Sequence, residues 1–417
     1  MNLKKAMGLA AFLTLCTVSY SENNFSLDDV LERAKTSNRQ VKAQQMSTEA
    51  KREKKERAWK HLVTPAVNLS NEDDWDIVKE YGVGLEKLEV HIPIFTGGKN
   101  LNTYKKAKTQ YEIAQRENNL VEMNVQEEAV ATYFAVLNAK KQREITENTI
   151  GALEKQKERI SDLYHNGKMV PKSELLKIEA DIENNKGINL QNIHNENSYL
   201  GELAKLLSYP IDSKLDIEDF DPEKYIKDKV TLEKEAKKSV EGTILGEREK
   251  LKLDSAAYDV KIAKADLYPL IYTKYTYNYR EKNETTGRLD KVNDSEWEVG
   301  FRWILSWGAD LDNVKASQYE YERAKLEFED NMQGISLEMK NKLSEIKALY
   351  GKTLSMKKRV DYLSENMEID DMRYENDLLT TFDYLNSVNS FRLAQEQYYS
   401  LQRELVLSVI EYENLYK

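Results

Sequence analysis

Chain breakers are scarce in this sequence. Its 417 residues include 16 Gly and 6 Pro, together about 5% where an average protein carries about 12%. With so little turn punctuation, long uninterrupted elements are expected, and no linker rich in Pro, Gly or Ser divides the chain. Long apolar runs are missing too. A mean hydropathy of -0.71 excludes a bundle of transmembrane helices, which needs several apolar stretches of about 20 residues. Basic charge is not in excess either: the net charge is -10, whereas a nucleic-acid binder presents a basic face, so no nucleic-acid partner is expected. What fills the chain is Glu, Lys, Gln, Asn and Leu without breakers, the composition of long amphipathic helices.

The single cysteine, Cys16, lies in the one apolar stretch of note, Ala6 to Val18, which follows Lys4 and Lys5 and precedes Ser19, Tyr20 and Ser21. That order predicts a secretory signal peptide over residues 1–21, shorter than an ordinary spanning helix. A buried N-terminal helix is the competing reading. Removal of the signal leaves a cysteine-free chain, suited to an oxidising compartment. Cys16 itself has the outline of a lipidation site after Leu13-Thr14-Leu15, although Leu15 is larger than such a site prefers.

The sequence repeats itself. An offset of 210 residues carries Gly98 onto Gly308, Leu101 onto Leu311, Tyr164 onto Tyr374 and Leu175 onto Leu385. Upstream, Pro65 and Pro269 correspond at an offset of 204, the difference falling on a longer polar segment, Glu281 to Asp290. Two such copies are too long for solenoid units and describe a duplicated half-molecule. The first structural repeat is expected over 22–226, with a helix near 27–63 capped by Ser26, strands at about 64–72 and 83–95, a long helix 99–165 and a helix 171–207. The second, 227–417, holds a helix, strands at about 269–281 and 295–306, a long helix 309–375 and a helix 381–416.

The strands alternate. Trp297, Val299, Phe301, Trp303, Leu305 and Trp307 form one large apolar face, against Glu296, Glu298, Gly300, Arg302, Ile304 and Ser306. One apolar and one polar face fit a membrane barrel, with Trp and Tyr as candidate interfacial belts. A soluble antiparallel sheet covered by a helix fits the same pattern. In the helices, Tyr384, Ser387, Phe391, Ala394, Tyr398, Leu401, Leu405, Ser408, Tyr412 and Leu415 recur at threes and fours, a coiled-coil seam. The helix before the strands and the one after the turn add up to about the length of the uninterrupted helix, so each half predicts two helical columns. Four strands per chain are too few to close a barrel and would leave unsatisfied edges, so strands that cross a membrane demand oligomerisation.

Two motifs recur at the constant offset. His91-Ile92-Pro93-Ile94-Phe95-Thr96-Gly97-Gly98 is echoed by Arg302-Trp303-Ile304-Leu305-Ser306-Trp307-Gly308. Tyr164-x-x-Gly167 with Ser173-Glu174-Leu175-Leu176 is echoed by Tyr374-x-x-Asp377 with Asp383-Tyr384-Leu385. With these motifs the chain resembles the TolC-family outer membrane efflux proteins over essentially its whole length after the signal. The resemblance implies a fold that is mostly α with a small transmembrane β part: a homotrimer with a 12-stranded barrel in the outer membrane lipid and a long periplasmic coiled-coil barrel. It also implies a periplasmic adaptor and an inner-membrane transporter as partners, the turns carrying Asn166, Gly167, Lys168, Asn376, Asp377 and Leu378 being the adaptor-contact tips.

In that family, aspartates narrow the periplasmic mouth. Asp383 occupies the first such position, while the second falls on Asn386. Tyr374 matches a tyrosine that helps hold the mouth closed, but the arginine expected five residues on is Leu379. Asp377 replaces the usual turn glycine, which Asp tolerates in the left-handed region. Three Asp383 carboxylates about a trimer axis would favour cations, and the negative net charge is not expected to oppose them.

No enzyme motif, phosphate loop, cofactor fingerprint or metal-ligand spacing is present; the 4 His lie on different elements and read as solvated. The functional expectation is therefore a passive export duct. A periplasmic adaptor is the alternative, although adaptors carry one hairpin rather than two; a coiled-coil scaffold would lack the amphipathic strands.

Overall fold

The computed structural model describes residues 24–70, 87–167, 170–211, 213, 215–219, 240–282, 289–304 and 306–417. The expected signal peptide, Cys16 and Lys168 lie outside the described residues. In chain order the elements are β1 (Asn24–Phe25), α1 (Leu27–Ser37), α2 (Arg39–Val63), β2 (Ala66–Ser70), β3 (Lys87–Phe95), α3 (Lys99–Asp162), a π turn (Leu163–Gly167) and α4 (Lys172–Leu206). There follow β4 (Asp216–Ile217), a short 3-10 turn (Val240–Gly242), α5 (Ile244–Ala265), β5 (Leu270–Lys282), β6 (Leu289–Arg302), α6 (Ala309–Glu375) and α7 (Thr381–Tyr416).

Two very long helices organise everything else. α3 has 64 residues and α6 has 67, each about 100 Å at 1.5 Å per residue. α3 packs against α1, α2, α4, α5 and α7, and α6 packs against α5 and α7. α2 (25 residues) and α4 (35 residues) thus stack along α3, while α5 (22 residues) and α7 (36 residues) stack between α3 and α6. The molecule has four helical columns.

The stacking junction explains a departure from the sequence reading. The span 27–63 is not one helix: it breaks at Asn38, whose backbone is extended (φ -60°, ψ 136°). Asn38 Oδ1 accepts from the Gln40 amide at 2.7 Å, and its Nδ2 donates to the Leu206 carbonyl at 2.9 Å. Arg33 donates to the Leu207 carbonyl at 3.3 Å, and the Ser208 hydroxyl to the Ser37 carbonyl at 3.0 Å. One asparagine caps the start of α2 and the end of α4, satisfying backbone groups that a helix end leaves orphaned. Ser26 forms a capping box with Asp29 at the start of α1. Beside the junction, Phe25, Val30, Ala34 and Val41 pack on Val130, Tyr133 and Leu203, while Tyr133 donates to the Glu218 carbonyl at 2.7 Å.

At the far end β2-β3-β5-β6 form one antiparallel sheet. Cross-strand register puts Val67, Val90, Tyr275 and Trp297 in one row and Asn68, Glu89, Thr276 and Glu296 in the next. Alternation therefore sorts the faces. Trp297, Val299 and Phe301 are 65–75% exposed on the apolar face, while Lys274 pairs with Glu298 at 2.7 Å on the polar one. Gly300 leaves room for Tyr272 opposite, whose ring lies 2.8 Å from where a Cβ would stand.

The polar segment Glu281 to Asp290 is not simply an inserted loop, since β5 runs to Lys282 and β6 begins at Leu289. Ladder bonds outweigh the low strand propensity of these charged residues, and β6 ends at Arg302 rather than near 306. Strand leads into long helix through two left-handed residues in each half: Gly97 and Gly98, then Trp307 and Gly308. At Gly97 a Cβ would stand 2.6 Å from the Ala265 carbonyl oxygen, so a side chain is excluded there.

Candidate functional site: the helical tip

At the end opposite the sheet, α3, α4, α6 and α7 meet around a closed apolar cluster. Leu153 and Ile160 of α3, Leu175, Ile178 and Ile182 of α4, Tyr374 of α6, and Tyr384, Leu385 and Val388 of α7 are all buried there. Tyr374 and Tyr384 stack face to face, ring centroids 4.4 Å apart and 9° from parallel. The Tyr374 hydroxyl lies 3.0 Å from Thr381 Oγ1, and Tyr384 donates to Asp371 at 3.2 Å. Burial pushes both phenols above their usual range, and for Tyr384 the Asp371 carboxylate adds to the effect. The Thr381 hydroxyl holds the Glu174 carboxyl below its usual range, with Lys177 contributing. A polar chain thus runs Tyr374–Thr381–Glu174, linking α6, α7 and α4.

Arg159 closes the site from α3. Its guanidinium donates to the Tyr374 carbonyl at 2.7 Å, the Glu375 carbonyl at 2.9 Å and Asp377 Oδ1 at 2.8 Å, and it lies 5.3 Å from the Tyr374 ring centroid. Those carbonyls belong to the last turn of α6, where a cation complements the helix dipole. The turn itself is a left-handed cap: Asp377 has φ 59°, Leu378 N donates to the Arg373 carbonyl at 2.8 Å, and Asp377 N to the Tyr374 carbonyl at 3.2 Å. Leu379, standing where an arginine was expected, packs against the apolar cluster.

The structure brings both turns to this one end. Leu163 and Tyr164 of the π turn pack on the same cluster as Tyr374. Asn166, Asn376, Asp377 and Leu378 are exposed at the tip, and Gly167 ends the π turn. Asp383 is exposed on the first turn of α7, where its carboxylate accepts from Thr380 Oγ1 at 2.7 Å and Thr380 Oγ1 accepts from its amide at 3.2 Å. It acts as the helix-start carboxylate within the protomer. Glu174 stands in the repeated Ser173-Glu174-Leu175-Leu176 motif without an assigned role; sequence reasoning missed Arg159 and Gln156, whose amide donates to Asp371 at 3.4 Å. No local signal marks them, because the partners of Arg159 stand more than 200 residues away in the chain. Among the described residues no cluster of His, Cys, Asp or Glu is placed to hold a metal ion, and no helix is long and apolar enough to cross a membrane.

No family model matches the sequence, and no curated protein matches it. Solved structures do. The Campylobacter jejuni CmeC outer membrane channel aligns over 100% of this chain and 94% of its own, with TM-score 0.75 and 16% identity. The chain has the TolC-like outer membrane channel fold. The outer membrane protein VceC from Vibrio cholerae shares that fold over 93% of this chain and 96% of its own (TM-score 0.76, 14% identity). So does the open state of the Neisseria gonorrhoeae MtrE outer membrane channel, over 94% and 88% (TM-score 0.73, 15% identity). In that fold a small sheet continues into long helical columns, the arrangement seen here.

Proposed function

We propose that this chain is one protomer of a homotrimeric exit duct in the cell outer membrane, passing solutes or polypeptides outward with a periplasmic adaptor and an inner-membrane transporter. One observation carries the reading: among the described residues, a four-stranded open sheet with an exposed apolar face and two unpaired edges, β2 and β6, on top of four helical columns. In lipid such edges are untenable, and pairing β6 of one copy with β2 of the next removes them. A second unpartnered surface agrees with this. Tyr319, Leu326, Leu337, Tyr362 and Ile369 are exposed on α6, at spacings that keep them within one stripe of the helix. The occupant that fits is α4 of the neighbouring copy, where Leu176 and Leu190 are exposed on one stripe of that helix.

In this reading the turns with Asn166, Gly167, Lys168, Asn376, Asp377 and Leu378 are the periplasmic tips that touch the adaptor, and Tyr374 and Asp383 belong to the entrance. Native mass measurement of the detergent-extracted protein is expected to give three copies; a monomer alone overturns the proposal. Leu378→Cys should cross-link to the adaptor and Asn68→Cys should not, the reverse pattern meaning that the molecule is inverted.

A further inference from the structure

Where the sheet meets the helices, a cleft of about 760 Å³ is lined by Lys54, Arg57, Lys60 and His61 of α2 together with Asn100 and Thr103 of α3. Among the described residues no carboxylate lines it. The three acidic residues of α2 are engaged elsewhere: Glu49 and Glu53 pair with Arg52, and Glu56 pairs with Lys55. Among the described residues Lys54 and Lys60 form no ion pair, and the side chain that Arg57 meets is His61, at Nε2 and 3.5 Å. Three permanent cations therefore share one concavity uncompensated, beside amide and hydroxyl donors. Such a surface repels itself and concentrates anions; a guanidinium with two ammonium groups suits carboxylate or phosphate oxygens.

The position of the cleft says which anions reach it. Ala66 and Pro93 bound it on the sheet side. Ala66 is the cross-strand partner of His91 and Pro93 follows two residues on, so both belong to the polar-face rows with Glu89. The cleft thus adjoins the polar face of the sheet, away from Trp297, Val299 and Phe301. Lipid headgroups would lie along the apolar face; solutes would pass along the polar one. The positive sign of the cleft is one that the overall charge of -10 conceals.

We propose that this cleft is a binding station in the duct wall for anionic cargo, namely small solutes carrying several carboxylate or phosphate groups. The route rests on the duct reading; the binding chemistry does not. The test titrates citrate, at low ionic strength, into the detergent-extracted full-length protein and into Lys54→Gln/Arg57→Gln/Lys60→Gln. Lys340→Gln/Lys352→Gln/Lys358→Gln, exposed on α6, makes the same change in net charge elsewhere. Citrate is expected to bind the parent and the α6 variant alike, and the cleft variant about tenfold more weakly or less, with added salt weakening the parent. Reversal potentials in a planar bilayer under a KCl gradient should show the cleft variant to be the more cation-selective of the two. No citrate binding, or equal loss in both variants, overturns the proposal. Citrate binding without conductance would sink the duct and leave the anion site standing; conductance without citrate binding would do the opposite.

Discussion

The two ends of this molecule are finished to different degrees. At the tip, Arg159, Tyr374, Thr381, Glu174, Tyr384 and Asp371 answer one another, and the tyrosine stack is closed off by apolar residues from four helices. At the sheet end, two strand edges, an apolar face and a cluster of cations have no partner among the described residues. Groups satisfied internally hold a shape without help, whereas unsatisfied edges and apolar faces require an environment or another copy. The chain therefore specifies its tip by itself, while its sheet end calls for an environment or a second copy, as proposed above.

The sharpest way to break this contrast is to charge the sheet. Val299→Lys on the exposed face should cost about 2–4 kcal/mol if the residue lies near the bilayer centre, and insertion and trimer recovery should fall together in membrane fractionation. Unchanged recovery would mean that the apolar face does not meet lipid. At the tip, Tyr384→Ala removes one half of a buried stack, at a cost of about 3–5 kcal/mol. Hydrogen exchange should then quicken in the last turns of α3 and α6 and stay as it was in the sheet; exchange rising equally at both ends would show that they are not independent.

Arg159→Gln leaves the α6 carbonyls without their cation, a loss of about 1.5–3 kcal/mol by the worth of charged hydrogen bonds. Single-channel recordings should show more frequent opening than in the parent. Acid gives a milder version of the same loosening. Because Glu174 is held below its ordinary carboxylate value, its contribution is complete at pH above about 4.5 and disappears as pH falls through its lowered folded value. Opening that increases below about pH 4.5 in the parent, and less so in Glu174→Gln, fits that sign. The smallest effect is expected from Asp383→Asn, since Thr380 is the N-cap and an Asn side-chain oxygen can still accept from its hydroxyl: trimer yield unchanged, cation preference reduced. An unaltered reversal potential would leave Asp383 as a helix-start residue alone.

Patterns that repeat locally were legible in the sequence. Alternation from Trp297 to Phe301 gave the strand and its two faces, since the side-chain period is two. The seam from Tyr384 to Leu415 marks positions that are buried or half-buried in α7. Gly98 and Gly308 mark the strand-to-helix turns because each requires positive φ. The sequence reading carries one helix through Asn38, although Thr36-Ser37-Asn38 are weak helix formers and Asn is a favoured N-cap; what only the structure shows is the Leu206 carbonyl, far along the chain, that its side chain also meets. The extension of β5 and β6 through charged residues was not legible, since it comes from pairing between them.

The lengths of the two long helices, the two faces of the strands, and the turn positions are thus properties of the sequence by itself, because backbone sterics and side-chain periodicity act over a few residues. Tertiary structure alone decided which distant groups meet. Arg159 reached the end of α6 because two parallel helices of nearly equal length finish together, and Lys54, Arg57 and Lys60 became one cationic cleft because α3 and the polar face of the sheet wall them in. Those energies exist only when chain segments hundreds of residues apart are brought within hydrogen-bonding or Coulombic range, and no local pattern encodes that distance.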